Sequence, residues 1–388
     1  MRRYEKTHPW LTFRLNTKEI SAGLWMALGE AYSKCEHIAG VPLPPIVAQQ
    51  LHQVYLAKGV LATTAIEGNT LTEEEVIKRI NGELNLPESR EYLGVEIDNV
   101  TFACNQISKD IEQSINFELI TPALLKNMNR DVLKGLELNE GVVPGEYSLH
   151  NVGVANYLAP PREDCEYLVE RICSWLNHET FLPSNSRDRL IFGIIRAILA
   201  HLYLVWIHPF GDGNGRTSRL LEFRILLTAG VPTPAAHLLS NHYNLTRQDY
   251  YRQLDRSSKT GGDPIPFLDY AVRGLIDGLR AQLDTIRQLQ WTITWRDYVH
   301  HIFHDRESAA DKRQRHLVID LTNKGAVPLN DIMLLSPRLA REYANKSVIT
   351  LRRDLKSLVE LQLVVREGHL YRANKEIIQA FLPFRKTA

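Results

Sequence analysis

The sequence predicts a mainly α-helical core with a short β-hairpin flap, followed by a C-terminal unit that mixes helices with a hairpin. Three observations carry this expectation. Apolar residues recur with helical spacing through most of positions 45–290. One stretch, "GVVPGEYSLHNVGVANYLAP" at 141–160, replaces helix formers with Pro, Gly, Val and Tyr and alternates weakly. Beyond about residue 290 the register changes, and three short helical stretches precede two strand-like runs.

Taken in chain order, 45–66 carries Leu51, Val54, Tyr55, Leu61, Ala62 and Ala65 on roughly one helical face. Gly68-Asn69 should stop that helix, because both residues tolerate the left-handed conformation of a helix terminator. "TEEE" then restarts a helix at Thr72, with Glu75 placed for a capping box. Further helices are expected near 91–114, 120–134, 163–178, 187–206, 215–229, 246–257 and 265–290. The 141–160 stretch reads as a hairpin or extended flap between helices. In the C-terminal unit, "LVIDLTNKG", "SPRLAREYA" and "SVITLRRDLKSLVELQ" are helical, with Ser336 and Ser347 as N-caps. "LVVREGHLYRA" turns at Glu367-Gly368. A helix, a helix-turn-helix and a hairpin form the winged-helix order.

Composition narrows the function classes. The chain has 388 residues, 44% of them hydrophobic and 23% charged, with a formal net charge of +1. That excludes a disordered chain and a general nucleic-acid coat, so any basic patch must be local. Cys35, Cys104, Cys165 and Cys173 are scattered without a Cys-x-x-Cys pair, as expected of reduced thiols in a cytoplasmic protein. The N-terminal "MRRYEKTHPWLTF" lacks the apolar core of a signal peptide. The apolar run from Ile191 to Ile207 is broken by Gly193, Arg196 and His201. It should be a buried core helix, too short and too polar to span a bilayer, and no membrane partner is expected.

The chemistry concentrates in "HPFGDGNGRTSR", residues 208–219. Gly213, Asn214 and Gly215 lie where a loop must turn into the helix that continues as "RTSRLLEFRILL". The first N–H groups of a helix lack internal partners, and the helix dipole favours an anion there. Glycines allow close approach to the backbone, and Asn214 can add a side-chain amide. Arg216 and Arg219, three residues apart, share a face and offer planar forks of donors suited to phosphate. Two cations at a helix N-terminus are locally unfavourable unless an anion arrives. Asp212 is suited to hold Mg²⁺ beside phosphates. His208 can take a proton from an attacking hydroxyl near neutral pH, with Phe210 anchoring the loop.

A second motif, "TTAIEGN" at 63–69, ends a helix on Glu67, where the dipole disfavours negative charge. In the C-terminal unit, Leu351, Leu355 and Leu358 should face inward and Arg352, Arg353 and Lys356 outward. That face suits DNA phosphates in a major groove, and it equally suits a module that binds protein or only packs.

With these residues in view, the chain resembles the Fic domain family over roughly residues 5–290. The family signature, His-x-Phe-x-Asp/Glu-Gly-Asn-Gly-Arg-x-x-Arg, is matched at His208, Phe210, Asp212, Gly213, Asn214, Gly215, Arg216 and Arg219. The resemblance implies an N-terminal helical domain (1–110) and a catalytic core (111–290), and the winged-helix order of elements places a winged-helix-like domain at 300–388. It implies ATP and Mg²⁺, and transfer of AMP to Ser, Thr or Tyr hydroxyls of target proteins and of the chain itself, with release of pyrophosphate. His208 would be the base and Asp212 the metal ligand. Gly213 to Gly215 would cradle the phosphates, with Thr217 and Ser218 in the same nucleotide-binding stretch. Arg216 would support the transition state and Arg219 would take the γ-phosphate. Val152, Gly153, Val154 and Ala155 of the flap would lie nearest the nucleotide, and Tyr250 on its adenine side. Thr63, Glu67, Gly68 and Asn69 fit the family's inhibitory motif, which implies that Glu67 pairs with Arg219 and holds the enzyme off. De-AMPylation by the same site, and a DNA-binding regulator that senses nucleotide, are the alternative functions. A homodimer and a DNA or protein partner at the C-terminal unit remain open from sequence.

Overall fold

The computed structural model describes residues 2–113, 119–154, 157–322 and 324–379. The chain divides into two compact units, Met1–Leu283 and Asp284–Ala388.

The first unit begins with the single turn α1 (Tyr4–Thr7), then α2 (Ala22–Gly40), α3 (Pro45–Ala65), α4 (Glu73–Ile80), α5 (Glu88–Gln113) and α6 (Pro122–Leu133). A two-stranded antiparallel hairpin, β1 (Gly153–Val154) and β2 (Tyr157–Leu158), follows. After it come α7 (Arg162–Leu176), α8 (Ser186–Ile207), α9 (Asn214–Thr228), α10 (Thr233–Ala236), α11 (Leu238–Leu245), α12 (Arg247–Lys259) and the long α13 (Ile265–Ile302). Local signals set many of the boundaries. Thr72 and Glu75 form a reciprocal capping box at α4. Ser21, Thr121 and Asn185 each accept a backbone N–H at the start of α2, α6 and α8. Gly68, at φ +106°, takes the chain out of α3 as the terminator reading requires.

At the centre lies α8, buried on nearly every side from Ile194 to Leu204. Helix α9 packs along it, and Gly193 marks their close approach, since a Cβ there would fall 2.1 Å from Cβ of Ala229. By length and composition alone α8 would suffice to cross a bilayer, contrary to the expectation drawn from the shorter 191–207 run. Yet 83% of its most apolar window is packed inside the protein, as in a core helix.

The structure corrects other sequence readings. In α3 the buried face is Leu56, Ala57, Val60, Thr63 and Thr64. Of the expected stripe only Ala62 is fully buried. Thr64 is buried without cost to its hydroxyl, which donates to the carbonyls of Val60 and Leu61. Helices α2 and α11 lie outside the expected elements, and α13 runs beyond the expected end at 290. Among the described residues of 141–160, strands are confined to β1 and β2.

The second unit takes the last turns of α13, then α14 (Ala309–Thr322), β3 (Val327–Pro328), α15 (Pro337–Tyr343), α16 (Val348–Glu360), β4 (Val364–Glu367) and β5 (Leu370–Ala373). The strands form a small antiparallel sheet in the order β3-β5-β4. Strand β3 carries no signal in the sequence reading, because it is only two residues long and includes Pro328. Ser336 caps α15 through Leu339 N–H, whereas Ser347 precedes α16 without accepting a backbone hydrogen bond. Leu351, Leu355 and Leu358 enter the core with Trp295, Leu317 and Leu339. The core is pinned by Asp354, buried on α16, whose carboxylate accepts from Arg313 (2.8 and 3.1 Å), Gln314 (3.1 Å) and Tyr343 (2.9 Å). These bonds tie α14 and α15 to α16. Asp354→Ala should leave Arg313 without its buried partner and cost about 3–5 kcal/mol. Chemical denaturation of the full chain, followed by Trp295 fluorescence, would read this.

Candidate functional site

The site is built at the junction of α8 and α9. His208 caps α8 in the left-handed region (φ +48°), an uncommon conformation for a non-glycine residue, and its N–H bonds the Leu204 carbonyl at 2.9 Å. Its Nδ1 lies 3.3 Å from the Val205 carbonyl. Nδ1 therefore carries the hydrogen, and Nε2 is left as the proton acceptor. Burial lowers the His208 pKa below its ordinary value, against the opposing pull of the Val205 carbonyl, Glu67 and Asp212, so the ring is neutral near pH 7.

The loop that follows is braced from within. Phe210 is buried, and Asn214 accepts the Phe210 N–H at 2.9 Å and donates to its carbonyl at 2.7 Å. The Asn214 side chain is therefore used inside the loop, and what it offers an anion is its backbone N–H. Gly213 adopts φ +74° to enter α9. Thr217 and Ser218 are fully buried; the Thr217 hydroxyl accepts from Asn129, and that of Ser218 donates to the Gly215 carbonyl.

Glu67 reaches this helix end from the turn after α3. Its Oε1 lies so close to Gly215 that a Cβ there would fall 1.9 Å from it. The same oxygen accepts from Arg219 Nη2 at 2.5 Å, and that guanidinium also donates to the Thr63 carbonyl at 2.9 Å. Arg219 is buried, whereas the Glu67 side chain keeps 33% of its exposure. Burial opposes ionisation of Glu67, but Arg219, Arg216 and His208 outweigh it and hold its pKa below the usual carboxylate range. Burial likewise opposes the charge on Arg219, and Glu67 more than restores it. A second arginine, Arg247, donates to the Ile66 carbonyl at 2.6 Å, so two cations cap the end of α3.

Arg216 donates to Glu96 at 2.7 Å and to Asp212 at 3.1 Å. The Asp212 side chain is nearly half exposed. Among the described residues no group of three or more His, Cys, Asp or Glu side chains could hold a metal by itself. One open carboxylate beside an anion site fits Mg²⁺ that arrives with nucleotide phosphates rather than one held in an all-protein cage. The cradle fits a phosphate in turn, because a carboxylate already occupies it.

The flap is hitched to this loop. Tyr147 and Phe210 form an isolated β-bridge, and Ser148 N–H bonds the Pro209 carbonyl. Tyr157 donates to the Trp206 carbonyl, and His8 contacts the Leu158 carbonyl at 2.8 Å. Val152 accepts from Ala159 N–H, and Gly153 and Val154 form β1; Ala155 lies outside the described residues. Tyr250 sits in a buried aromatic cluster, its hydroxyl 2.9 Å from His201 Nε2 and its ring stacked on Tyr243. The exposed aromatic beside it is Tyr251.

Three residues of this site escaped sequence reading. Asn129 on α6 is fully buried, donates to the Asp212 carbonyl at 2.9 Å and accepts from Gly145 N–H at 2.9 Å, joining flap to loop. Glu96 on α5 holds Arg216. Glu222 on α9, also buried, accepts from the Tyr243 hydroxyl at 2.8 Å, and burial pushes its pKa up to about 8. Glu222 stands between Leu221 and Phe223, a weak signal of a buried acid, whereas Asn129 lies among Asn127, Arg130 and Asp131 and carries none.

Residues 119–226 match the family model described as "Fic/DOC family". The site and this match fall on the same stretch: over residues 119–226 the chain is similar to the Fic/DOC family. Among curated proteins it is similar to the protein adenylyltransferase Fic of Drosophila mojavensis, 32% identical over 214 residues. The Drosophila melanogaster protein of the same name is 34% identical over 214 residues. Each alignment covers 54% of this chain; it covers 37% of the first relative and 38% of the second. The chain therefore matches well under half the length of these relatives. Among solved structures, a Fic family protein from Desulfovibrio desulfuricans superposes over 93% of this chain and 98% of its own, with TM-score 0.54 and 21% identity. Fic-1 from C. elegans covers 70% of this chain and 75% of its own, with TM-score 0.56 and 24% identity. These two share the fold: a mainly helical Fic core, here followed by a small three-stranded antiparallel sheet.

Proposed function

We propose that the protein transfers AMP from ATP to hydroxyl side chains of proteins, itself included, and that Glu67 holds this activity off. The observation that carries the reading is the seat of the Glu67 carboxylate, against Gly215 at the N-terminus of α9 and on Arg219, close to His208. An anion already occupies a position suited to a terminal phosphate, and a neutral imidazole stands next to it. In the reaction, the target oxygen attacks the α-phosphorus, its proton passes to His208 Nε2, and the bond to pyrophosphate breaks. The backbone N–H groups of 213–215 and Arg216 stabilise charge developing on the phosphate oxygens. Mg²⁺ on Asp212 would supply further charge neutralisation. The kinship with adenylyltransferases supports transfer of AMP rather than of phosphate. The test uses the Glu67→Gly chain with ATP labelled at either the α- or the γ-phosphate. Incorporation from α-label alone is expected; incorporation from γ-label would overturn the reading.

For the second unit we propose a winged-helix module that binds duplex DNA. Its order of three helices and a hairpin with an added strand supports the assignment. On α16, Arg352, Arg353 and Lys356 are exposed, and beside them Ile349 is 75% exposed. Arg352 and Arg353 form no ion pair among the described residues, which suits them to phosphates. Duplex binding by the full chain should weaken steeply with salt. Removing Arg352 and Arg353 together should lower the slope of log K against log salt by about 2. Binding that is absent, or indifferent to salt, would remove DNA as the partner.

A further inference from the structure

We propose that Glu96 is a positioning residue that couples the Glu67-bearing turn to Arg216, so that release of the one and placement of the other are linked. The inference rests on the reading of the site as an inhibited AMP-transfer site. Glu96 projects from α5 with 14% of its side chain exposed. One of its oxygens accepts from Arg216 Nη1 at 2.7 Å. The other accepts from Asn69 Nδ2 at 2.8 Å. Among the described residues it is the side chain that touches both.

Each neighbour is held firmly by its other partners. Asn69, two residues beyond Glu67, also donates to the Leu93 carbonyl at 3.0 Å and accepts from Leu71 N–H at 3.1 Å. Its own N–H reaches back to the Thr64 carbonyl at 3.2 Å, closing the turn that presents Glu67. Arg216 divides its guanidinium between Glu96 and Asp212 Oδ1. The connection therefore runs from Glu67 through Asn69, Glu96 and Arg216 to Asp212.

A carboxylate bonded on both oxygens has a fixed plane, so a shift of either donor is felt by the other. Loss of Glu96 has two separate consequences. Asn69 loses a charge-assisted hydrogen bond, which loosens the turn that holds Glu67 in place. Arg216 loses its second acceptor and closes on Asp212, away from the reacting phosphate. The first raises activity in the native chain, where Glu67 is limiting. The second lowers activity once Glu67 is gone. A merely structural role would move both backgrounds in the same direction.

The experiment measures self-labelling from α-labelled ATP for Glu96→Ala and Glu96→Gln, each in the native chain and in Glu67→Gly. Backbone amide exchange over residues 66–69 is followed in parallel. Glu96→Ala should raise labelling severalfold in the native chain, lower it about tenfold in Glu67→Gly, and speed exchange of the Asn69 amide. Glu96→Gln retains an acceptor for Arg216 but turns an amide towards Asn69. It should match the gain in the native chain and show a smaller loss in Glu67→Gly. Changes of the same sign in both backgrounds, or no change, overturn the coupling, as does unaltered exchange at Asn69. If Glu67→Gly alone fails to raise labelling, the reading beneath the inference is what fails, and amide exchange still reports whether Glu96 holds the turn.

Discussion

Glu67→Gly is expected to raise self-labelling from α-labelled ATP by at least about tenfold, the lower end of what a charge-assisted hydrogen bond contributes. The carboxylate fills the anion seat at Gly215 and satisfies Arg219, which is buried and, among the described residues, otherwise donates to the Thr63 carbonyl. Removing it vacates the seat and leaves a buried cation short of a partner. Activity and stability should therefore move in opposite directions. The variant should melt lower than the parent, and ATP should stabilise it more than it stabilises the parent. The sign of the pH effect follows from the lowered pKa of Glu67. Its contribution is present above the ordinary carboxylate pKa and is lost only as pH falls through the still lower folded value. Acidification within the neutral range thus does not open the site. Labelling no higher than that of the parent would argue that something other than Glu67 limits the reaction.

His208→Ala should abolish labelling in both the native and the Glu67→Gly background, a fall of about 10²–10⁴-fold for loss of a general base. The left-handed backbone at 208 is tolerated by Ala no better than by His, so an Asn substitution serves as a second variant that accepts φ near +50°. Because burial lowers the His208 pKa, the active neutral ring prevails at pH 7. In Glu67→Gly the rate should fall with acid through a midpoint below the ordinary histidine value, and stay level above it. A midpoint above that value, or activity surviving in both substitutions, would remove His208 as the proton acceptor.

The local geometry at 208–219 was readable because its code is local. A glycine-rich turn, a helix start and two arginines one turn apart fix one another through covalent geometry, whatever the rest of the chain does. The capping box at Thr72 and the glycine stop at 68 were readable for the same reason. The conformation of α3 was legible, but not which face it buries, because a threonine such as Thr64 counts as polar until its hydroxyl is seen to be satisfied on the carbonyls of its own helix. The flap's position was legible, but not its attachment, which runs through a bridge to Phe210 and through Asn129.

What the sequence by itself determined is therefore a loop and helix end chemically suited to an anion and a proton acceptor, and a helix ending on an ill-placed glutamate. What the tertiary structure alone decided is how distant groups complete that site. Glu96 reaches Arg216 across 120 positions and Asn129 reaches Asp212 across 83. Tyr250 turns into the core, and the Asn214 amide is taken up inside its own loop. Short-range geometry is written in residue order. Partners so far apart are chosen only when packing around α8 and α9 brings their helices together and places the groups that satisfy each buried charge or amide within hydrogen-bond reach.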